Sequence, residues 1–490
     1  MREVDVGSAD IVVAQVTPRD PDNEPSGWAL QVGQATVTAA STEVLGWSAT
    51  GGAATLSGAL HVSFGGEALI QDVSFSWADG VVSDGDVAVL TDVDITFEDS
   101  LSAGPTDVGE SRLADLEGDL SVTGTAPNLA LIEPLLQDLL GTGRLEGSLS
   151  VAHGQPVEGG WAKVETDRLG VTVVGLQLVG NGRVTADIGA ESIDVGLVFD
   201  AVTGRRKGPI LVEGRGLRVV ATVAGRTLEP GARDVAVDLT IPELNAPDLT
   251  VLRALLPDTD AVVLTDGSAT VSGALTADTA TGAVGGALQL RAEGVEGTYV
   301  DLSYRTDLAI DVSVSGGDLA APRLDLSAVS LRLTNTTFDD DGKTWDWSMQ
   351  ATGNRGTLDL GSPIGFDVYG AIRLSSIRPL FAFFGQDKAF LVSIQRLLVV
   401  RDVDATARVA LVGGRLGVSE LSLDSRSLQA QGELRIGGGP CAGLVHAKLG
   451  LIGVAVEASD GSTKVHPFGA KNWYADTLPG FMGEHPFVWL

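Results

Sequence analysis

The sequence is poor in the residues that enzyme chemistry usually requires. A single cysteine, Cys441, stands among 490 residues, so no intrachain disulfide can staple the fold and packing alone must hold it. It lies in the turn-like run Gly437-Gly438-Gly439-Pro440-Cys441, with no catalytic signature around it. The five histidines, His61, His153, His446, His466 and His485, lack the paired spacing of a zinc site. No Gly-x-Ser-x-Gly elbow and no phosphate-cradling glycine loop occur. Gly46-Trp47-Ser48-Ala49-Thr50-Gly51 has the wrong spacing, and Gly180-x-Gly182 lacks a third glycine. Asp and Glu alternate with apolar residues, which reads as the wet face of a sheet rather than as paired catalytic carboxylates. The expectation is a protein that is not an enzyme and needs neither metal nor cofactor.

Basic residues are also few, 33 against 64 acids, for a formal charge of −31. Such a field repels nucleic acid and bare anionic bilayers, so any phosphate-binding role needs a local basic patch. The one basic run, Arg205-Arg206-Lys207, lies in a glycine-flanked turn and reads as a solvated loop tip. No stretch reaches the ~18 consecutive apolar residues of a membrane span. The start, Met1-Arg2-Glu3-Val4-Asp5-Val6, has no basic or apolar region of a signal peptide. It opens in a strand-like segment, so the chain is expected to continue from a longer protein upstream.

What is abundant is glycine, 63 residues, set among β-branched residues and alternating patterns. Val73, Phe75 and Trp77 alternate with serines, and Val93, Ile95 and Phe97 with Asp94, Thr96 and Glu98. Trp345, Trp347 and Met349 alternate with Asp346, Ser348 and Gln350. Period two gives each strand one oily and one polar face, the pattern of an antiparallel sheet wet on one side. Asn181-Gly182 is expected to make a type I′ hairpin turn, and Asp79-Gly80, Asp84-Gly85, Asp341-Gly342 and Asp460-Gly461 to serve similarly. Asp339-Asp340-Asp341-Gly342 invites a calcium reading, but Ser348 stands where an EF-hand needs its bidentate Glu.

Three apolar segments break the alternation and are expected to be short helices: Leu129 to Leu140, Asp248 to Leu256, and Ile377 to Phe384. Similar strands flank them, so a strand–helix–strand unit is expected to recur at roughly 120-residue intervals. The expected organisation is an N-terminal β segment, 1–117, then repeats over 118–236, 237–367 and 368–490. The fold class is all-β, mainly antiparallel with a few short helices, and an elongated curled sheet forming a groove. An oily face must be covered, and three short helices are too few for dozens of strand residues. Acyl chains suit such a wall because it offers no polar group in need of a partner. A closed stack of β-sandwiches would give the same alternation.

The unit Ile132-Glu133-Pro134-Leu135-Leu136-Gln137-Asp138-Leu139-Leu140-Gly141 followed by Gly143-x-Leu145-x-Gly147-x-Leu149 resembles the AsmA-like and TamB-like proteins of Gram-negative envelopes. Ile377-Arg378-Pro379-Leu380-Phe381 and the stretch from Gly461-Ser462-Thr463-Lys464 to Gly469-Ala470-Lys471-Asn472-Trp473-Tyr474 are similar too. The likeness covers most of residues 110–475. It implies a periplasmic β-groove of the cell envelope, carrying phospholipid acyl chains between inner and outer membranes in outer-membrane biogenesis. It transfers no catalytic residue, and the membrane anchor of that family is absent from this chain. The expected lining comes from the clearest apolar sets: Ile193, Val195, Leu197 and Phe199, and Leu308, Ile310, Val312 and Val314. Ordinary sheet core would use these residues equally well. The alternative function is a secreted β-solenoid or β-sandwich adhesin.

Overall fold

The computed structural model describes residues 8–18, 27–38, 41–44, 47–63, 68–84, 87–99, 118–127, 142–152, 155–173, 176–205, 210–225, 235–250, 262–299, 302–318, 323–340, 343–360, 365–379, 400–436, 442–459 and 462–490. Among the described residues there are 28 strands and one α-helix, so the protein is all-β. The chain divides into two compact units. One comprises Met1–Val173, Gln177–Val202 and Gly216–Val237, and the other Val174–Leu176, Thr203–Arg215 and Asp238–Leu490.

The first unit is an antiparallel sheet. β1 (Ser8–Pro18) pairs with β2 (Gly27–Thr38). A small hairpin, β3 (Ser41–Val44) and β4 (Trp47–Thr50), precedes β5 (Ala53–Ser63), which pairs with β2. The ladder continues through β6 (Ala68–Asp84), β7 (Val87–Asp99), β8 (Gly118–Ala126) and β9 (Gly143–Ala152). β9 pairs with the two-residue β10 (Gln155–Pro156) and with β11 (Trp161–Val173). Next come β12 (Leu176–Ile188) and β13 (Ser192–Arg205); the chain then passes through β14 (Ile210–Arg215), a strand of the second unit, and returns as β15 (Leu217–Ala224), which pairs with β13.

In the second unit β14 pairs with β16 (Val235–Ala246). From β17 onward each strand pairs antiparallel with the next. The series is β17 (Val262–Asp278), β18 (Ala283–Tyr299), β19 (Leu302–Asp318), β20 (Arg323–Asp340), β21 (Lys343–Asp359) and β22 (Gly365–Ser376). It goes on with β23 (Arg401–Val412), β24 (Arg415–Asp424), β25 (Leu428–Ile436), β26 (Ala442–Leu449), β27 (Ile452–Ser459) and β28 (Ser462–His466). The helix α1 (Ala470–Glu484) follows.

The turn expectations divide. Asp84 faces Val87, Asp340 faces Lys343 and Ser459 faces Ser462, so three of the expected hairpins connect paired strands. Asn181-Gly182 does not: it lies inside β12, and the expected turn there is corrected. A methyl on Gly182 would stand 2.1 Å from the Val198 carbonyl oxygen, so this glycine permits close approach of two backbones instead of reversing the chain. Asp79-Gly80 is likewise interior to β6, with Asp79 at φ 59° where the β6–β7 register shifts. It is a bulge, which turns the strand without ending it.

Of the expected helices, Leu129 to Leu140 lies outside the described residues. Only Leu249 and Thr250, in a 3₁₀ turn, and Arg378 and Pro379, helical, represent the other two. The segments at 128–141 and 380–399 connect strands that are direct neighbours, β8 with β9 and β22 with β23.

Bulges recur across the long ladder. At one of them Gly294 takes φ 63° and its N–H donates to Asp307 Oδ1 at 2.8 Å, while Asn335 Nδ2 donates to Oδ2 at 2.7 Å. The Asn335 amide and the Gly294 N–H hold the Asp307 carboxyl below its usual range. Thr306 and Thr336, both buried nearby, satisfy one another at 2.6 Å.

α1 and the tail after it cover one face of β22–β27. Ala470, Tyr474 and Phe481 pack on Ala442, Leu444 and Ala455, and burial pushes the Tyr474 hydroxyl up to about 12. The tail then crosses the strands: Phe487 lies against Gly417, and the Arg408 guanidinium stands 4.5 Å from the Trp489 ring centre. Arg408 also grips Asp367 with two hydrogen bonds, at 3.0 and 2.6 Å. Beneath the tail Glu433 and Arg435 form a buried ion pair at 3.1 Å, and the Glu433 carboxylate accepts the Glu420 N–H.

Removing one partner of a buried pair leaves a bare charge, which costs about 3–5 kcal/mol. Arg435→Ala is expected to destabilise the second unit by that order in urea unfolding, and to speed carboxypeptidase trimming of the tail, read by mass spectrometry. The double change Glu433→Leu with Arg435→Met is expected to cost less. In the first unit Phe199 is fully buried. Phe199→Ala is expected to cost about 3–5 kcal/mol in the same assay.

Candidate apolar binding face

In-register pairing turns the alternation of each strand into rows that cross the ladder. One row runs Val271, Leu290, Ile310, Leu331, Ala351 and Ile372, each Cα-paired with the next across β17 to β22. It continues without a polar residue through Ala405, Leu423, Ala430, Ala447 and Val454 to β27. A parallel row joins Ala292, Leu308, Leu333, Met349, Leu374 and Val403. Another joins Leu288, Val312, Val329, Gly353, Gly370 and Ala407. Together they make one apolar floor.

The reverse face is polar along the same strands. Arg291, Ala309, Arg332, Gln350, Arg373 and Asp404 form one row. Arg373 and Asp404 pair at 2.9 Å, which raises the Arg373 pKa, and Arg291 pairs with Asp311. These pairs are exposed and add little stability. They do fix which face meets water.

Burial varies along the floor. From Val271 to Ile372 the six residues of the first row are half-buried. A second sheet packed about 10 Å away would bury such a row completely. Either side of this stretch the floor is closed. On one side Leu374, Ile377, Val400, Val403 and Leu428 are buried in a cluster that also takes in Phe338 and Trp347. Phe338 stacks on Trp345 with ring centres 4.5 Å apart, and the Arg378 guanidinium lies 4.4 Å from the Trp345 ring centre. On the other side Val284, Val314, Leu324 and Leu326 are buried together. The half-buried middle carries no titratable side chain, so it offers no acid, base or nucleophile. Its chemistry is that of an apolar wall.

The expected lining residues fall into two settings. Ile193, Val195, Leu197 and Phe199 all lie on β13 in the first unit and are 0–3% exposed, as sheet core would be. Leu308, Ile310 and Val312 are half-buried members of the floor, and Val314 is buried at 6% at its edge. Sequence reasoning missed the neighbours Leu331, Ala351 and Ile372. The alternation of Val329, Leu331 and Leu333 with Ser330 and Arg332 would have found the first of them.

Among the described residues no cluster of His, Cys, Asp and Glu could hold a metal ion, and no helix is long and apolar enough to cross a membrane. No protein-family model, curated protein or solved structure matches the chain.

Accessibility of the floor is open to direct measurement. In a Cys441→Ser background, Ile310→Cys and Leu331→Cys are expected to react with a maleimide in the folded protein, whereas Leu197→Cys reacts only after denaturant is added. Mass spectrometry of the adducts over time checks both.

Proposed function

We propose that this protein is a non-catalytic lipid carrier of the Gram-negative cell envelope, whose apolar floor holds phospholipid acyl chains on their way between inner and outer membranes. The observation that carries the reading is the half-buried row from Val271 to Ile372. Six neighbouring strands there share an apolar row that stays half-buried, with Leu290 and Ile372 packed against buried clusters at its flanks and Ile310, Leu331 and Ala351 between them. Leaving such a surface to water costs about 25 cal/mol per Å². A fluid hydrocarbon removes that cost without demanding one shape from the wall. The polar reverse face and the formal charge of −31 keep the protein dissolved while one face stays oily. The resemblance to AsmA-like and TamB-like proteins supports the same reading and supplies the periplasmic setting.

The test is to purify the chain without detergent from a Gram-negative host and extract bound lipid for mass spectrometry. Phospholipid is expected in wild type, and Ile310→Arg with Leu331→Arg is expected to lose most of it while keeping the wild-type circular dichroism. A wild-type protein that carries no lipid, or a double variant that carries as much, would overturn the proposal.

A further inference from the structure

The described chain exposes few large apolar side chains, and three of the most exposed share one corner. Leu451 is 100% exposed, Phe468 90% and Ile452 71%. Leu451 and Ile452 form the tip of the β26–β27 hairpin, where Gly450 at φ 58° reverses the chain. Phe468 lies just before α1, and a methyl on Gly453 would meet the Ala470 Cβ at 3.8 Å, which sets the start of α1 beside the tip.

The corner is also basic, in a chain whose overall charge opposes anionic surfaces. Lys448 and Lys471 are exposed on either side of His446 and both lower its pKa, after the larger effect of burial. Arg426 is exposed in the adjacent β24–β25 turn, whose Ser427 carbonyl accepts the Gly450 N–H at 3.3 Å. Asp424 is the acid nearest in sequence to this turn. The tip is continuous with the floor: Leu428 pairs with Leu449 and Leu449 with Ile452, one step along the same strand faces from Ala430, Ala447 and Val454.

We infer that this corner docks on an anionic lipid bilayer, with Leu451, Ile452 and Phe468 entering the interface and Arg426, Lys448 and Lys471 meeting headgroup phosphates. Apolar side chains rimmed by cations bind such interfaces by burial and by attraction together. A fully solvated leucine at a hairpin tip contributes nothing to the fold, so its exposure fits an external surface. Membrane docking gives the floor a place to load or discharge, and for that purpose it rests on the lipid-carrier reading.

The experiment is co-flotation of the full chain with vesicles of 3:1 phosphatidylcholine and phosphatidylglycerol, and with vesicles of phosphatidylcholine alone. Wild type is expected to float with the anionic vesicles, and Leu451→Asp with Ile452→Asp to weaken binding about tenfold or more. Arg426→Glu with Lys448→Glu, and added salt, are expected to weaken it too. Because these side chains are solvated, the variants should keep wild-type circular dichroism. As a second measurement, Leu451→Cys carrying an environment-sensitive dye, in a Cys441→Ser background, should brighten when anionic vesicles are added. Absence of flotation, equal flotation with neutral vesicles, unchanged flotation of the tip variant, or a dye that stays dim would each overturn the inference. Bound lipid without vesicle binding leaves the carrier reading standing and removes the docking; vesicle binding by a lipid-free chain does the reverse.

Discussion

Everything in the second unit depends on the register between neighbouring strands. A side chain's face is fixed by position along its strand, and a slip of one residue would send every apolar group to the wet side. From β17 to β27 the register keeps one row apolar across every pairing. The bulges do not spoil this. At Gly294 and Asn335 the extra residue is absorbed and pinned by Asp307, and Leu308 still faces Leu333. Bulges also sharpen twist.

The two faces of this unit are finished differently. The reverse face needs no cover along most of its length because ion pairs and amides meet water directly. Among the described residues α1 covers it at β26 and β27, where Ala442, Leu444 and Ala455 bring apolar groups to that side. The tail adds aromatic rings over Arg408 and Arg435, cations already tied to Asp367 and Glu433. A face with its own polar partners is left open, and a face without them is packed or half-buried.

Strand content and polarity were legible in the sequence because period two is local. Trp345, Trp347 and Met349 show it, and they do share a face. The continuity of the floor was not legible, since it depends on how bulges and turns align successive strands. Asn181-Gly182 misled because its residue types suit both a tight turn and a strand pressed against another backbone. α1 was missed for a different reason. Pro479, Gly480 and Gly483 weaken its helical propensity, and its first turn holds no acid. The buried spacing of Ala470, Tyr474 and Phe481 was the available signal. Burial itself separated the two expected lining sets, which look alike as sequence.

Among the described residues the ladder from β17 to β28 pairs each strand with its chain neighbours. Such a sheet has a parity. Inserting one strand would reverse the direction of every later strand and carry α1 to the opposite end. Inserting a hairpin restores both direction and facing. The floor can therefore lengthen or shorten only in two-strand steps, each adding about 10 Å of width at the ordinary strand spacing. Variation in floor width among sequences built this way should come in those increments, with the closing helix left where it was.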